Sequence, residues 1–156
     1  MLDTPSGTRL ALLVLRVYTG VALFASGLAK AQRGFLDGDK LSAAIRGWLA
    51  EGAPYDFFAP FLRDVVQPHA RTFAWLVTGG ELLGGACLAI GLLTRPAALA
   101  SLVMLVAFAL AQGEIFWKPG TAVALAFVSL ALALTSAGRF VGVDARLQGR
   151  LPPWLV

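Results

Sequence analysis

Two charged residues interrupt long uncharged stretches of this sequence, and both are of a type that can do chemistry. Glu81 lies within residues 72–94, and Arg16 lies within residues 10–29. A charge inside such an apolar stretch is costly and is usually paired or functional. Glu81 is therefore either a proton relay or polar anchor for a bound headgroup, or a buried carboxyl group that orders the fold. We take Glu81 and Arg16 as the candidate catalytic residues.

Arg16 is the natural partner of Glu81, because its charge is opposite and it also lies within an apolar stretch. At 1.5 Å of rise per helical residue, the two residues differ in depth by about 10 Å. An extended arginine side chain and helix tilt could together cover this gap. The alternative for Arg16 is that its guanidinium group reaches out to the lipid headgroups. An Arg16–Glu81 pair is therefore a hypothesis that the sequence suggests.

Other kinds of chemistry are excluded by composition. One cysteine, Cys87, and one histidine, His69, are too few for an intramolecular disulfide, an iron–sulfur cluster, a structural zinc site or a bis-histidine haem. We therefore expect no metal site and no covalently bound cofactor. The net charge of +4 comes from basic residues scattered along the chain, and this arrangement does not indicate nucleic-acid binding.

The elements that must position these residues are apolar helices. Of 156 residues, 58% are hydrophobic and 14% are charged, whereas a soluble domain has about half apolar and a quarter charged residues. Runs of about 20 residues with few charges are typical of membrane helices. The sequence predicts one all-α integral membrane domain, residues 1–156, folded as an up-down-up-down bundle of four transmembrane helices. The predicted spans are residues 8–29, 72–94, 96–112 and 120–137.

The segment between the first two spans, residues 30–71, predicts two short amphipathic helices. Either they lie in the membrane interface or they form a docking face for a partner. The apolar positions at helical spacing are Leu41, Ala44, Ile45, Trp48 and Leu49 in the first helix, and Phe57, Phe58, Phe61, Leu62, Val65 and Val66 in the second.

Orientation follows from the ends of the spans. The Lys and Arg residues are nearly balanced between the two sides, but Arg146 and Arg150 in the tail favour cytoplasmic termini. Residues 29–31 have the small-x-small form of a signal-peptide cleavage site. The length of the first apolar stretch and Arg16 within it favour a retained span. We predict a multi-pass protein of a bacterial-type inner (cell) membrane, with both termini in the cytoplasm.

The second predicted span is rich in glycine. Gly80 and Gly84 form a GxxxG pair, and Gly85 with Ala89 forms a second pair of small residues. Such pairs let helix backbones approach closely. They serve either packing within the bundle or an interface with a partner or a second copy of the chain.

Four motifs of glycines and polar residues follow one another along the chain. They are Arg16 with Gly20, Ser26-Gly27-Leu28-Ala29-Lys30, Gly80-Glu81-Leu82-Leu83-Gly84-Gly85 continuing to Gly91-Leu92-Leu93-Thr94-Arg95, and Ala137-Gly138-Arg139 followed by Asp144. The ordered set resembles the DoxX family and covers nearly the whole chain.

The resemblance implies a four-helix membrane protein. The DoxX family includes the small membrane subunit of a thiosulfate:quinone oxidoreductase, and other members are thought to sit in membrane complexes with redox enzymes. The resemblance therefore implies an anchor or quinone-side subunit of a membrane-bound oxidoreductase complex, with quinone as its cofactor and redox enzymes as its partners. The alternative is a non-catalytic scaffold or assembly subunit of a larger membrane complex. Candidate quinone-binding residues are Arg16, Glu81, Lys30 and Arg95, and Asp144 also matches the polar pattern of the family.

Overall fold

A computed structural model of the chain describes residues 6–114, 120–135, 137–139, 141–147, 149–150 and 152. Within this part of the chain, every regular element is helical. The helices are α1 (Ser6–Gln32), α2 (Asp39–Ala50), α3 (Ala59–Phe61), α4 (Ala70–Ile90), α5 (Thr94–Gln112), α6 (Thr121–Leu134) and α7 (Val143–Leu147). A π-helical turn, Leu62–Val66, continues α3, and a 3₁₀ turn, Ala137–Arg139, lies between α6 and α7.

The long helices pack side by side as a bundle. α1 packs along α4, α4 along α5 and α5 along α6, while α6 also touches α1. Helices α1, α4 and α5 are long and apolar enough to cross a membrane, and α6 is a shorter apolar helix. Large apolar side chains are exposed along the outside of all four, as in Tyr18, Leu83, Val103 and Leu134. An exposed apolar belt of this kind suits contact with lipid rather than with water.

The long helices overlap the four predicted spans, but the turn between α4 and α5 differs from the prediction. α4 ends at Ile90 because Gly91 takes a left-handed conformation with φ 71°, which stops the helix. α5 begins at Thr94 rather than at Pro96. Pro96 then occupies the first turn of α5, where the missing N–H of proline has no helical partner to lose.

Close contact between α1 and α4 depends on glycine. A β-carbon at Gly20 would overlap the backbone of Ala89, and one at Gly85 would overlap the backbone of Phe24. The pair Gly85 and Ala89 therefore serves packing within the bundle, one of the two roles that the sequence left open. Gly84 faces the Ser101 side chain of α5 instead.

The segment between α1 and α4 covers one end of the α4–α5 pair. α2 packs on α4 and α5, and its buried residues Leu41 and Ile45 join Leu62, Val66 and Ala74 in a second apolar core. The predicted amphipathic character of α2 is confirmed, since these buried residues belong to the predicted apolar face.

The second amphipathic segment differs from the prediction. The sequence placed six apolar residues on one face, but only Leu62 and Val66 are buried, while Phe57, Phe61 and Val65 are exposed. The segment is one short α-turn continued by a π-turn, and only a narrow side of it packs on the core. Leu62 and Val66, four residues apart, lie on that side, whereas Phe61 and Val65, each one position earlier, lie on the exposed side.

The turn after α5 is held by a carboxylate. Glu114 Oε2 accepts a hydrogen bond from the backbone N–H of Val123 in the first turn of α6, at 2.8 Å. An acidic group at a helix N-terminus satisfies a free N–H and is favoured by the helix dipole. The Tyr55 hydroxyl group donates to the Glu114 carbonyl oxygen at 3.2 Å, which ties the long loop to the same turn.

Candidate functional site

The four residues that the sequence proposed as a quinone site lie in two separate places. Lys30 and Glu81 meet between α1 and α4. Arg16 and Arg95 lie at the other end of the bundle, where the α4–α5 turn meets the C-terminal segment. The structure therefore brings Lys30 and Glu81 together and places Arg16 and Arg95 apart from them.

Lys30 and Glu81 form a charge pair inside the bundle. The Lys30 ammonium group donates to both Glu81 carboxylate oxygens at 2.6 Å and to Ser26 Oγ at 2.8 Å. The Ser26 hydroxyl group in turn donates to Glu81 Oε1 at 3.2 Å. The side chain of Glu81 is 6% exposed and that of Lys30 is 22% exposed, so the carboxylate is the buried member and the ammonium is the accessible one.

The direction of helical side chains explains this pairing. Each side chain leans toward the N-terminus of its own helix. α1 and α4 run antiparallel, with Gly27 of α1 against Glu81 of α4 and Gly20 against Gly85. Lys30 therefore leans back toward Ser26, and Glu81 leans toward the end of α4 that lies beside Lys30. The two charged groups converge although their Cα positions differ in depth.

The hypothesis of an Arg16–Glu81 pair is wrong. Arg16 leans toward the start of α1, and Glu81 leans toward the start of α4. Because the helices are antiparallel, these directions point apart and widen the gap in depth that the sequence had already indicated. Glu81 contacts Lys30, and Arg16 donates to the Ala137 carbonyl oxygen at 3.0 Å.

Arg16 lies inside the protein and does not reach the headgroups. It is 2% exposed, and its guanidinium group rests against the backbone at Gly91 and Gly142. A β-carbon at Gly91 would lie 2.8 Å from the guanidinium carbon, and one at Gly142 would lie 3.1 Å from Nη1. Two glycines thus leave the space that the guanidinium group fills.

Asp144 is the acidic residue at the end of the bundle that contains Arg16, and it is fully buried. Its carboxylate accepts from the backbone N–H of Leu93 at 2.7 Å and of Thr94 at 2.9 Å, while its own N–H donates to the Gly91 carbonyl oxygen at 2.8 Å. Asp144 and Arg16 thus contact the same residue, Gly91. Asp144 therefore caps the N-terminus of α5 and fixes the C-terminal segment to the α4–α5 turn.

These contacts also hold an unusual backbone conformation. Leu93 has φ 48°, in the left-handed region that residues other than glycine rarely adopt. Surrounding contacts must hold such a residue in place, and here the carboxylate of Asp144 binds the N–H of Leu93 itself. We interpret the Arg16–Asp144 cluster as a structural lock on this turn.

An apolar cavity of about 430 Å³ lies between α4, α5 and the loop helices. Among the described residues, those that line it are apolar or glycine. Trp48 and Phe58 line it on the side of the loop, and Gly80 forms part of its wall on α4. Leu76 and Val103, which also line it, are 64% and 70% exposed, so the cavity opens between α4 and α5 onto the lipid-facing surface.

Phe108 connects this cavity with the charge pair. Its ring lines the cavity, and its centroid lies 5.8 Å from the Lys30 ammonium nitrogen. Phe35 lies at a similar distance of 5.9 Å. Both rings are within the range of a cation–π contact. Reasoning from the sequence missed Phe108 and the cavity, for which the sequence carried no signal. It named Ser26 only within a motif and not as a site residue, although Ser26 lies four residues before Lys30.

Comparison with known proteins gives one match. The family model described as DoxX matches residues 11–114, which is two thirds of the chain. The matched range contains both members of the charge pair and Arg16, while Asp144 lies beyond it. No curated protein and no solved structure matches the chain.

Proposed function

Since this chain belongs to the DoxX family of membrane proteins, we propose that it is a membrane subunit of a quinone-linked oxidoreductase complex. The observation that carries the proposal is the Lys30–Glu81 pair, a charge pair within apolar helices of an integral membrane protein. Ionisable residues in such a position commonly mark a substrate or proton site.

The residues beside the pair fit a quinone headgroup. Lys30 is partly exposed and would hold a carbonyl oxygen by exchanging one of its three hydrogen bonds to Ser26 and Glu81, while Phe35 and Phe108 offer flat apolar surfaces to a ring. Glu81 would take up or release a proton through Ser26 and Lys30. A bound quinone would supply the electron-accepting carbonyl groups. Arg16 and Arg95 take no part in this proposal, because they lie at the other end of the bundle.

A partner subunit supplies the electrons in this proposal. The sequence has one cysteine and one histidine, too few for an iron–sulfur cluster or a bis-histidine haem held by this chain alone. The exposed apolar residues Phe57, Phe61 and Val65 of the loop would lie in the membrane interface beside that partner.

We further propose that α6 crosses the membrane as the fourth span. Its 14 residues extend about 21 Å at 1.5 Å per residue, which is shorter than the hydrocarbon core, so the bilayer would thin locally or the flanking residues would complete the span. Four spans place both termini on one side, and we assign that side to the cytoplasm of a bacterial-type cell.

The test is the quinone content and composition of the complex purified from its native membrane in a mild detergent. We expect redox subunits to co-purify and quinone to appear in an organic extract of the purified sample. Glu81→Gln should lower quinone-dependent turnover, whereas Glu51→Gln, at an exposed loop carboxylate, should leave it unchanged. Absence of both quinone and redox partners would contradict the proposal.

A scaffold subunit is the second candidate function, favoured by a different observation. Both Glu81 oxygens already accept from Lys30, and a fully satisfied pair can serve assembly of the bundle alone. In that case, replacing both Lys30 and Glu81 by methionine would leave turnover unchanged. Replacing Phe57 and Phe61 by serine would instead release the partner subunits.

A further inference from the structure

The cavity between α4, α5 and the loop helices points to a lipid-binding site, and we propose that it holds the hydrocarbon chain of a neutral, quinone-type lipid. The chain would lie in the cavity, and the uncharged head would lie against Phe108 beside Lys30. The identity of the head rests on the proposed function, whereas the existence of the site rests on the cavity itself.

Size and lining both suit a hydrocarbon chain. A volume of about 430 Å³ lies within the range of cavities that hold small ligands. Apolar walls favour hydrocarbon through the hydrophobic effect, and they leave a charged group without partners. A phosphate headgroup therefore has no place inside, whereas an uncharged head can pass along the cavity.

Access is from the bilayer. The rim residues Leu76 and Val103 are on the exposed apolar surface, whereas the aromatic residues Trp48 and Phe58 line the cavity on the side of the loop. A ligand that enters between α4 and α5 must therefore partition into lipid first. This route selects molecules that are already dissolved in the membrane.

The inner end of the cavity supplies the polar contact. The Phe108 ring forms part of the wall and lies 5.8 Å from the Lys30 ammonium nitrogen. The Phe108 ring lies between the cavity and Lys30, so a head that moved this ring aside would reach the ammonium group and would replace one of its three hydrogen bonds to Ser26 and Glu81. A neutral head with carbonyl oxygens accepts such a bond, and a plain hydrocarbon does not.

Gly80 keeps the cavity open, and the chain offers a matched control for it. A β-carbon at Gly80 would meet only Met104 Sδ, at an ordinary contact distance of 3.5 Å. Since Gly80 lines the cavity, we expect a leucine there to occupy part of its volume. At the adjacent Gly79, a β-carbon would meet nothing within 4 Å. Gly80→Leu should therefore block the site, and Gly79→Leu should not.

Trp48 in the wall of the cavity serves as the reporter. The experiment uses the full chain with Trp75, Trp117 and Trp154 replaced by phenylalanine, reconstituted in phosphatidylcholine vesicles. The probe is a benzoquinone with a saturated decyl chain, which quenches indole fluorescence on contact. We expect saturable quenching in this parent and in Gly79→Leu. In Gly80→Leu the probe concentration that gives half-maximal quenching should rise at least about tenfold, which corresponds to a loss of about 1.4 kcal/mol in binding free energy.

Three outcomes would overturn the inference. Quenching that rises linearly with the probe in every variant would mean simple partitioning without a site. An unchanged midpoint in Gly80→Leu would place the probe elsewhere. Saturable quenching by phosphatidylcholine with brominated chains, not displaced by the benzoquinone, would assign the cavity to phospholipid. If Gly80→Leu fails to fold, Ala107→Leu on the opposite wall gives the same test.

This experiment separates the lipid site from the proposed function, because its readout needs no partner subunit and no turnover. Saturable binding to the isolated chain, together with a native complex that lacks redox subunits, would keep the site and reject the oxidoreductase. Quinone-dependent turnover by the native complex, together with a quenching midpoint that Gly80→Leu leaves unchanged, would support the oxidoreductase and contradict a quinone site in this cavity.

Discussion

At the scale of single residues, the direction of each side chain decides which charges meet. Lys30 and Glu81 lean toward each other because each follows the N-terminal tilt of its own helix in an antiparallel pair. Arg16 leans the opposite way and fills a space left by Gly91 and Gly142. Two intramembrane charges that look like partners in the sequence therefore belong to different clusters.

The Lys30–Glu81 pair should show strong coupling in a double-mutant cycle. Either Lys30→Met or Glu81→Met leaves one charge buried without its partner, which typically destabilises a protein by about 3–5 kcal/mol. We expect the lower end of this range, because the Lys30 side chain is 22% exposed. The double variant should regain most of the loss. The measurement is the free energy of unfolding in mixed micelles.

The control for this cycle is the replacement of Lys40, an exposed lysine in α2, by methionine. This change should alter the free energy of unfolding little. Additive losses in the double variant would show that the two residues do not interact in the folded protein, and would remove the pair as the centre of the proposed site.

The buried carboxylate of Asp144 should be a major source of stability at the other end of the bundle. Asp144→Ala removes the acceptor for the Leu93 and Thr94 N–H groups, and hydrogen bonds to a charged group contribute about 1.5–3 kcal/mol each. We expect a lower thermal midpoint and faster proteolysis of the C-terminal segment. Asp56→Ala, at an exposed site, should leave both unchanged, and equal behaviour of the two variants would disprove the lock.

At the scale of elements, the spacing between α1 and α4 controls the geometry of the charge pair. The helices approach closely because Gly20 and Gly85 carry no side chains. A wider separation would pull Lys30 from Glu81, since both residues lie on the facing sides of the same two helices. Gly20 thus affects the geometry of the pair from about three turns away from Lys30, and Gly85 from about one turn away from Glu81.

Gly20→Ala should weaken the bundle, because its methyl group would overlap the Ala89 backbone. Overpacking of this kind costs about 1–3 kcal/mol. Gly79→Ala, which meets open space, should be neutral or stabilise α4 by about 0.5–1 kcal/mol. Thermal unfolding of the two alanine variants in one detergent measures the difference. A Gly20→Ala variant as stable as the parent would show that the close contact is not needed.

At the scale of the whole molecule, the open question is how the helices lie in the membrane. Three helices are long enough to cross it, and α6 is shorter. The two carboxylates that hold the ends of α5 and α6, Asp144 and Glu114, connect these ends to other segments. Glu114 thus helps to hold the start of α6 in the bundle, and Asp144 does the same for the start of α5.

Labelling of single cysteines tests the proposed topology. In a Cys87→Ser background, Asp56→Cys should react with a membrane-impermeant maleimide on intact cells. Ser6→Cys and Gly149→Cys should react only after permeabilisation, because four spans leave both termini inside. Reaction of Gly149→Cys but not Ser6→Cys on intact cells would indicate three spans. Reaction of both termini but not of Asp56→Cys would reverse the orientation.

Much of the architecture could be predicted from the sequence alone, because it depends on local properties. Length and hydropathy of the apolar runs predicted the long helices, and the spacing of Leu41 and Ile45 predicted the buried face of α2. The ordered motifs around Arg16, Glu81 and Arg95 were sufficient to indicate the DoxX family. Each of these signals lies within a single helical segment, or in the order of such segments along the chain.

The site required the tertiary structure, because its parts are far apart in sequence. Lys30 and Glu81 are 51 residues apart, and Arg16 and its acceptor Ala137 are 121 residues apart. The cavity exists only where α2 and the π-turn fold over α4 and α5. Composition determined that this chain is a membrane protein with few charges, but only the packing of antiparallel helices decided which of those charges meet and where an apolar ligand has room.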